Sequence, residues 1–111
     1  MNVLPIRPGA YAIVSMDDGR IVLVRKTRGP LTGKFDLPGG GIDHGESHVE
    51  AVVRELREEL GLFVHTAKLF DVFHDVVIHD KPEGKFEQHL LGIVFVVGGV
   101  TSEEFDESVT E

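Results

Sequence analysis

With 111 residues, 41% hydrophobic and 27% charged, the chain has the balance of an ordinary globular protein with room for one domain and one core. Eleven Lys plus Arg against nineteen Asp plus Glu give a net charge of −8, which argues against general nucleic-acid binding, because that needs a basic face to displace counterions. Cysteine is absent, which removes disulfides, thiolate metal sites and cysteine nucleophiles together.

An acidic protein can still take up a polyphosphate when divalent cations sit between the two anions. The longest apolar stretches, such as Leu90 to Val97, are too short to span a bilayer. Met1 to Pro8 has no apolar core of a signal peptide. The expected location is therefore the cytoplasm, with no membrane partner.

In chain order, Gly9 to Val14 reads as a strand, Asp17-Asp18-Gly19-Arg20 as a turn, and Ile21 to Val24 as the returning strand of a hairpin. Lys26 to Lys34 reads as a loop. Phe35 to Leu37 is a short extended piece ended by Pro38-Gly39-Gly40-Gly41, where glycines let the backbone make a tight turn or approach a ligand closely. Ser47-His48-Val49-Glu50 has the spacing of a capping box, and Gly61 suits a left-handed C-terminal cap, so a helix is predicted over 48–60. Val49, Val52, Val53, Leu56 and Leu60 form its expected apolar stripe. Leu62 to Ile78 reads as mostly extended, Asp80 to Lys85 as a turn, and Phe86 to Val97 as another strand. Two hairpins around one helix predict a mixed α/β or α+β domain. Ser102 to Glu111 is an acidic loop, whereas such a domain normally closes its core with a final strand or helix. The expectation is a single domain, 1–111, that lacks its C-terminal elements and compensates as a homodimer, by swapping elements, or with marginal stability.

The helix works against its own stability. At about 100° per residue, Glu55 at 0°, Glu59 at about 40° and Glu58 at about −60° share one arc. Like charges at these spacings repel, and Glu58 and Glu59 sit in the last turn, where the helix dipole favours cations. Arg54 can pair with Glu50 and Glu58 at four-residue spacing, while Arg57 projects on the far side. Such an arc is either an ordinary solvated face or a set of oxygen ligands gathered around a hard divalent cation such as Mg²⁺.

From Gly40 the sequence runs through five residues to Glu46, seven more to Arg54-Glu55-Leu56, then Glu58-Glu59 and Gly61-Leu62. This segment, led in by Leu37-Pro38-Gly39, resembles the Nudix box at every defined position. The resemblance implies an α/β/α sandwich around a mixed sheet with the box as a loop–helix–loop, and a pyrophosphohydrolase that uses Mg²⁺ or Mn²⁺ to direct water onto a diphosphate phosphorus. Carried over position by position, it implies that Glu58 and Glu59 ligate metal, that Glu55 ligates metal or acts as a base, and that the Gly39 carbonyl completes a metal shell. Glu46 and Arg54 orient the box through ion pairs, with Gly40 and Gly61 as its structural glycines. A further acid outside the box commonly assists in the family; Glu87, Glu103, Glu104 and Glu107 are candidates.

The substrate implied is a small nucleotide. The ADP-ribose group places a Pro about fifteen residues beyond the box, where this chain has Val76-Val77-Ile78, with Pro82 too late. The dinucleoside-polyphosphate group places a Tyr slightly further on, and the single Tyr here is Tyr11. By elimination, a nucleoside triphosphate or modified nucleotide is favoured. Arg25, at a strand end, is either a phosphate contact or an exposed charge, and Phe35 is read as core rather than as a base-stacking ring. His44, His48, His65, His74, His79 and His89 lack ligand spacing and are read as non-catalytic. The alternatives from other classes are a Nudix-like nucleotide sensor without turnover and an interaction module.

Overall fold

The computed structural model describes residues 1–27 and 32–102. Its elements are β1 (Asn2–Val3), β2 (Arg7–Ile13), β3 (Val24–Arg25), β4 (Phe35–Asp36), β5 (Gly39–Gly41), α1 (His48–Leu60), β6 (Leu62–Phe63), β7 (Thr66–Lys81), β8 (Gly84–Gly98) and β9 (Thr101–Ser102). β8 is the spine of a mixed sheet. It pairs antiparallel with β7 along one edge, and parallel with β1 and then β2 along the other. β5 extends the sheet by pairing antiparallel with β2. Two short two-stranded pairings, β3 with β4 and β6 with β9, flank it.

The helix begins and ends where the sequence places it. The Ser47 side chain accepts from the Glu50 backbone N–H at 3.0 Å, and the Glu50 carboxylate accepts from the Ser47 N–H at 2.8 Å. These reciprocal bonds satisfy two of the orphan donors at the N-terminus. Gly61, at φ 65° and ψ 27°, takes the left-handed cap, a conformation cheap only for glycine.

The buried face of α1 is only part of the expected stripe, with Val52, Leu56 and Leu60 in it. Ala51, Val52 and Leu56 are fully buried against Ala10, Ala12, Val14, Phe95 and Val97, and Leu60 is partly buried beside them. Val49 and Val53, expected in the core, are 40% and 36% exposed. The packed arc runs from Ala51 at about −40° to Leu56 at about 100°, so Glu55 and Glu59 lie within it rather than on its border. The cause lies in β2, whose Ala10 and Ala12 leave room for the helix to approach closely on its small-residue side.

Two further expectations change. The first hairpin reduces to a turn closed by the Met16–Arg20 and Val14–Val22 backbone bonds and a single bridge between Ser15 and Ile21. Beyond it the chain leaves β2, and Val24–Arg25 pairs with Phe35–Asp36 instead. The glycine run, expected as a loop, is strand β5, because Gly39, Gly40 and Gly41 lie opposite Tyr11, Ala10 and Gly9.

β7 and β8 form a hairpin of strands sixteen and fifteen residues long, with a bulge between Leu69 and Asp71. That is well beyond the usual five or six. Among the described residues the outer edge of β7 is unpaired. Leu69, Phe70, Val72, Phe73, Val76 and Ile78 along it are 40–63% exposed. No helix among the described residues is long and apolar enough to cross a membrane.

The rotated helix gives a stability prediction. Leu56→Ala should cost about 2–5 kcal/mol, whereas Val53→Ala should cost no more than about 0.5 kcal/mol. Urea unfolding of the two variants checks this. Equal losses would restore the stripe that the sequence suggests.

Candidate active site

α1 and β5 meet along one line, and that line carries the acidic cluster. Ala10 lies opposite Gly40 in the sheet, and the Glu55 carboxylate lies over Gly40. A Cβ at position 40 would stand 2.8 Å from Glu55 Oε1, so a larger residue there would push the carboxylate away. Glu59, one turn further on, accepts the Gly39 backbone N–H at 2.6 Å. Glu55 and Glu59 are thus held in partly buried positions, with side chains 16% and 25% exposed, whereas Glu58 at 59% stands in solvent.

Arg54 organises the cluster. Its Nε and Nη2 clasp the two oxygens of Glu46 at 2.7 and 3.0 Å, a bidentate pair. Its Nη1 donates to Glu55 at 3.0 Å and Glu58 at 2.9 Å, and Nη2 also donates to the Gly41 carbonyl at 3.0 Å. Asp43 lies further out at 3.6 Å. The expected pairing with Glu50 does not form, because the Glu50 carboxylate is committed to the helix cap.

Lys26 is the second cation. Its Nζ donates to the Gly39 carbonyl at 2.9 Å and stands 3.4 Å from Glu59 Oε2. Glu55, Glu58 and Glu59 line one cleft with Gly39, each with a cationic partner in this arrangement. Two of them turn to Arg54 and the third to Lys26 and the Gly39 N–H, because charge-assisted donors lie within reach of each oxygen. Among the described residues no three acidic or histidine side chains gather closely enough to hold an ion in this arrangement. The donor set nonetheless fits a hard cation: two partly buried carboxylates, a third at the solvent edge and a backbone carbonyl are all oxygen ligands. A lysine ammonium resting on that carbonyl and one of those carboxylates shows that the position attracts positive charge.

Two glutamates are displaced from their ordinary proton affinity in opposite directions. Hydrogen bonds from Arg54, and then from the Asp43 N–H, lower Glu46 to about 2. Burial raises Glu55, with Arg54 opposing it and the charges of Glu59 and Glu58 adding to it. Burial also raises Tyr11, with the nearby Asp36 adding to it.

Glu55 and Tyr11, with Arg54 and Lys26, line a cleft of about 660 Å³, a size that suits a small organic ligand. One wall is Gly39 to Gly41 with Glu55, Glu58 and Glu59. Arg7, Arg25, Lys26 and Tyr11 also line it, and His79, Gln88 and Leu90 close it from the long hairpin. His79 Nε2 lies 2.9 Å from Gln88 Oε1, and the Gln88 amide donates to the Pro5 carbonyl at 2.9 Å, which fixes that end.

The structure brings Arg25 to the cleft, stacked 5.0 Å over Phe35. Phe35 is not core: it is 62% exposed. Glu87 is not among the described residues lining the cleft, and Glu103, Glu104 and Glu107 lie outside the described residues. Sequence reasoning missed Arg7, Lys26, His79 and Gln88. Arg7 and Gln88 reach the cleft only because β2 and β8 pair in the register that sets Arg7 opposite Leu90.

The comparisons with known proteins agree with this architecture. The NUDIX domain family matches residues 5–110. The chain is 38% identical over 85 residues to the ADP-ribose pyrophosphatase of Methanocaldococcus jannaschii, covering 74% of this chain and 47% of that protein. It is 40% identical over 82 residues to a putative 8-oxo-dGTP diphosphatase of Bacillus subtilis, covering 74% and 49%. The crystal structure of a MutT Nudix hydrolase from Burkholderia pseudomallei superposes with a TM-score of 0.67 at 35% identity, covering 90% of this chain and 71% of that one. The chain belongs to the Nudix family, and its mixed sheet with one packed helix is the α/β fold of that family. It spans about half the length of the curated relatives it matches.

The Glu46–Arg54 pair gives a pH prediction. A carboxyl held at about 2 in the folded protein binds its proton less readily than in the unfolded chain. The pair therefore stabilises above the ordinary Glu value of ~4.3 and is lost as pH falls toward 2. Glu46→Gln should melt below the parent above about pH 5, with the gap closing as pH falls through about 4 toward 2. Thermal melts followed by circular dichroism across that range check it. A gap that stayed constant with pH would mean that Glu46 acts through shape and hydrogen bonding rather than charge.

Proposed function

We infer that this domain is a Nudix pyrophosphohydrolase that hydrolyses a diphosphate linkage in a small nucleotide with Mg²⁺, or Mn²⁺ in its place. The observation that carries the reading is the joint placement of Glu55, Glu58 and Glu59 beside the Gly39 carbonyl, in one cleft with Arg7, Arg25 and Lys26. That cleft suits a ligand carrying both phosphates and their counter-cations.

In this mechanism Glu58, Glu59 and the Gly39 carbonyl would hold the divalent cation, with Glu55 as a further ligand or as the base. The cation, when bound, neutralises charge on the diphosphate and makes attack by water feasible at neutral pH. Glu55 suits proton abstraction, because burial raises its proton affinity above that of an ordinary carboxylate while Arg54 fixes its orientation. Arg25 and Arg7 face the phosphates. Tyr11, Leu90, Gln88 and His79 face the nucleoside, with an aromatic ring, an aliphatic side chain and an amide available to it. Glu46 and Arg54 hold the acids in register, and Gly40 and Gly61 give the helix its close approach and its end.

A nucleoside triphosphate or modified nucleotide is the favoured substrate, supported by the likeness to a putative 8-oxo-dGTP diphosphatase. The likeness to an ADP-ribose pyrophosphatase favours ADP-ribose as the second reading. A hydrolysis screen over both classes, with products identified, distinguishes them: monophosphate plus pyrophosphate for the first, and two monophosphates for the second. Activity should vanish with a chelator and return with Mg²⁺. The same reading includes a homodimer through the apolar edge of β7, which is unpaired among the described residues. Sedimentation should show concentration-dependent dimers, and a monomer across the whole range would remove that part.

Glu55→Gln should lower kcat by roughly 10²–10⁴-fold while leaving the metal-free melting temperature unchanged or raised, since a repelling charge is removed. Glu50→Gln, on the same helix, keeps an oxygen that can accept the Ser47 N–H, so it should keep kcat and cost no more than about 0.5 kcal/mol of stability. Equal losses of activity in the two variants would make the cluster an ordinary solvated face.

A further inference from the structure

Lys26 carries no motif, yet its ammonium rests against the centre of the acidic cluster. Nζ donates to the Gly39 carbonyl at 2.9 Å and faces Glu59 Oε2 at 3.4 Å, and the other Glu59 oxygen accepts the Gly39 N–H at 2.6 Å. The three groups form a closed circuit on one glycine. The Lys26 side chain is 16% exposed, and its ammonium lies 5.8 Å from the Tyr11 ring centre. A long, strongly hydrated side chain is usually extended into water, so this placement needs a compensating anion, and Glu59 supplies it.

The Gly39 carbonyl and Glu59 are the same oxygens that the functional reading assigns to the divalent cation. A Mg²⁺ ion takes oxygen ligands at about 2.0–2.1 Å, and an ammonium already lies against both. Two cations cannot share those oxygens without strong mutual repulsion. We propose that Lys26 is a tethered counter-ion that competes with the divalent cation for the Gly39 carbonyl and Glu59, and so sets the metal affinity of the domain. Without the divalent ion it holds Glu59 and Gly39 in place and offsets repulsion among the glutamates. With it, the ammonium is released into the cleft, which Arg7 and Arg25 also line and where a phosphate can take it up. Metal and polyphosphate then help one another to bind through this one side chain. The proposal rests on the metal-ligand assignment above, and not on which nucleotide is hydrolysed.

The test uses Mn²⁺ binding to the metal-stripped protein, followed by electron paramagnetic resonance of the free ion. Lys26→Met removes the competitor while keeping the stem, and should bind Mn²⁺ roughly 10-fold tighter, the scale of one lost charge-assisted hydrogen bond. Lys26→Arg keeps the charge and should stay near the parent. In chelator at low salt, Lys26→Met should melt below the parent, and adding Glu59→Gln should recover most of that loss. Mn²⁺ affinity that is unchanged or weaker in Lys26→Met would overturn the proposal and leave Lys26 as a scaffold for Gly39. Absence of Mn²⁺ binding in both proteins would overturn it too. Tighter binding by Lys26→Met in a protein that hydrolyses no nucleotide would sustain the competition while sinking the enzymatic reading.

Discussion

Five hydrogen bonds leave the Arg54 guanidinium, and a guanidinium has five N–H donors. Two go to Glu46, one each to Glu55 and Glu58, and one to the Gly41 carbonyl. No donor is left over, and the proton is held more tightly than in a free arginine, above all by Glu46. Three carboxylates on a short helix and the loop before it would otherwise repel one another and the dipole at the helix end. A lysine could not replace this residue, since a point charge with three donors cannot reach five acceptors in one plane. The planar fork fixes directions as well as neutralising charge. It ties the loop after β5 to the middle of α1, and so sets how the glutamates face the cleft.

Packing reinforces this arrangement. A helix normally turns its whole apolar stripe inward, yet α1 buries only part of it and brings Ala51 and Glu55 toward the sheet instead of Val49 and Val53. Ala51, Val52 and Leu56 are fully buried while Val49 and Val53 remain at the surface. Ala10, Ala12 and Gly40 opposite them have little or no side chain, so the helix backbone comes close enough for Glu55 to lie over Gly40. The cost is partial desolvation of two carboxylates, visible in the raised proton affinity of Glu55. Local stability is thus traded for an acid held in a defined, partly dry place, a conflict between levels that is common at functional sites.

This division explains how much of the molecule was legible in its sequence. The helix ends were, because Ser47, Glu50 and Gly61 act through bonds to their own neighbours. The acidic arc and the Glu46–Arg54 partnership were legible through the family resemblance, and the helix period placed Glu55, Glu58 and Glu59 together. The rotation of the helix was not, since periodicity counts Val49 and Val53 as core and cannot weigh the alanines of a distant strand. Nor was the strand made by Gly39 to Gly41, because glycines signal turns locally and only pairing with Tyr11, Ala10 and Gly9 makes them extended. The far end of the cleft depends on register: Arg7 comes from the start of the chain and Gln88 from the long hairpin, and nothing in the spacing between them announces a shared pocket.

Net charge shows the same limit of composition. By composition a chain at −8 is a poor host for a polyanion, yet the cleft draws four of its cations to one place: Arg7, Arg25, Lys26 and Arg54. They are not equivalent. Arg54 has every donor committed to partners within the box, so leaving would strand several partly buried acceptors at once. Among the described residues the Lys26 ammonium makes two polar contacts, one of them long, at the end of a flexible stem. On the proposed reading, accepting a divalent cation and then a phosphate calls for one positive charge that stays and one that can be exchanged. The chemistry of the two side chains suits this division: a planar fork with every donor engaged on the helix, and a single ammonium on a flexible stem just after β3.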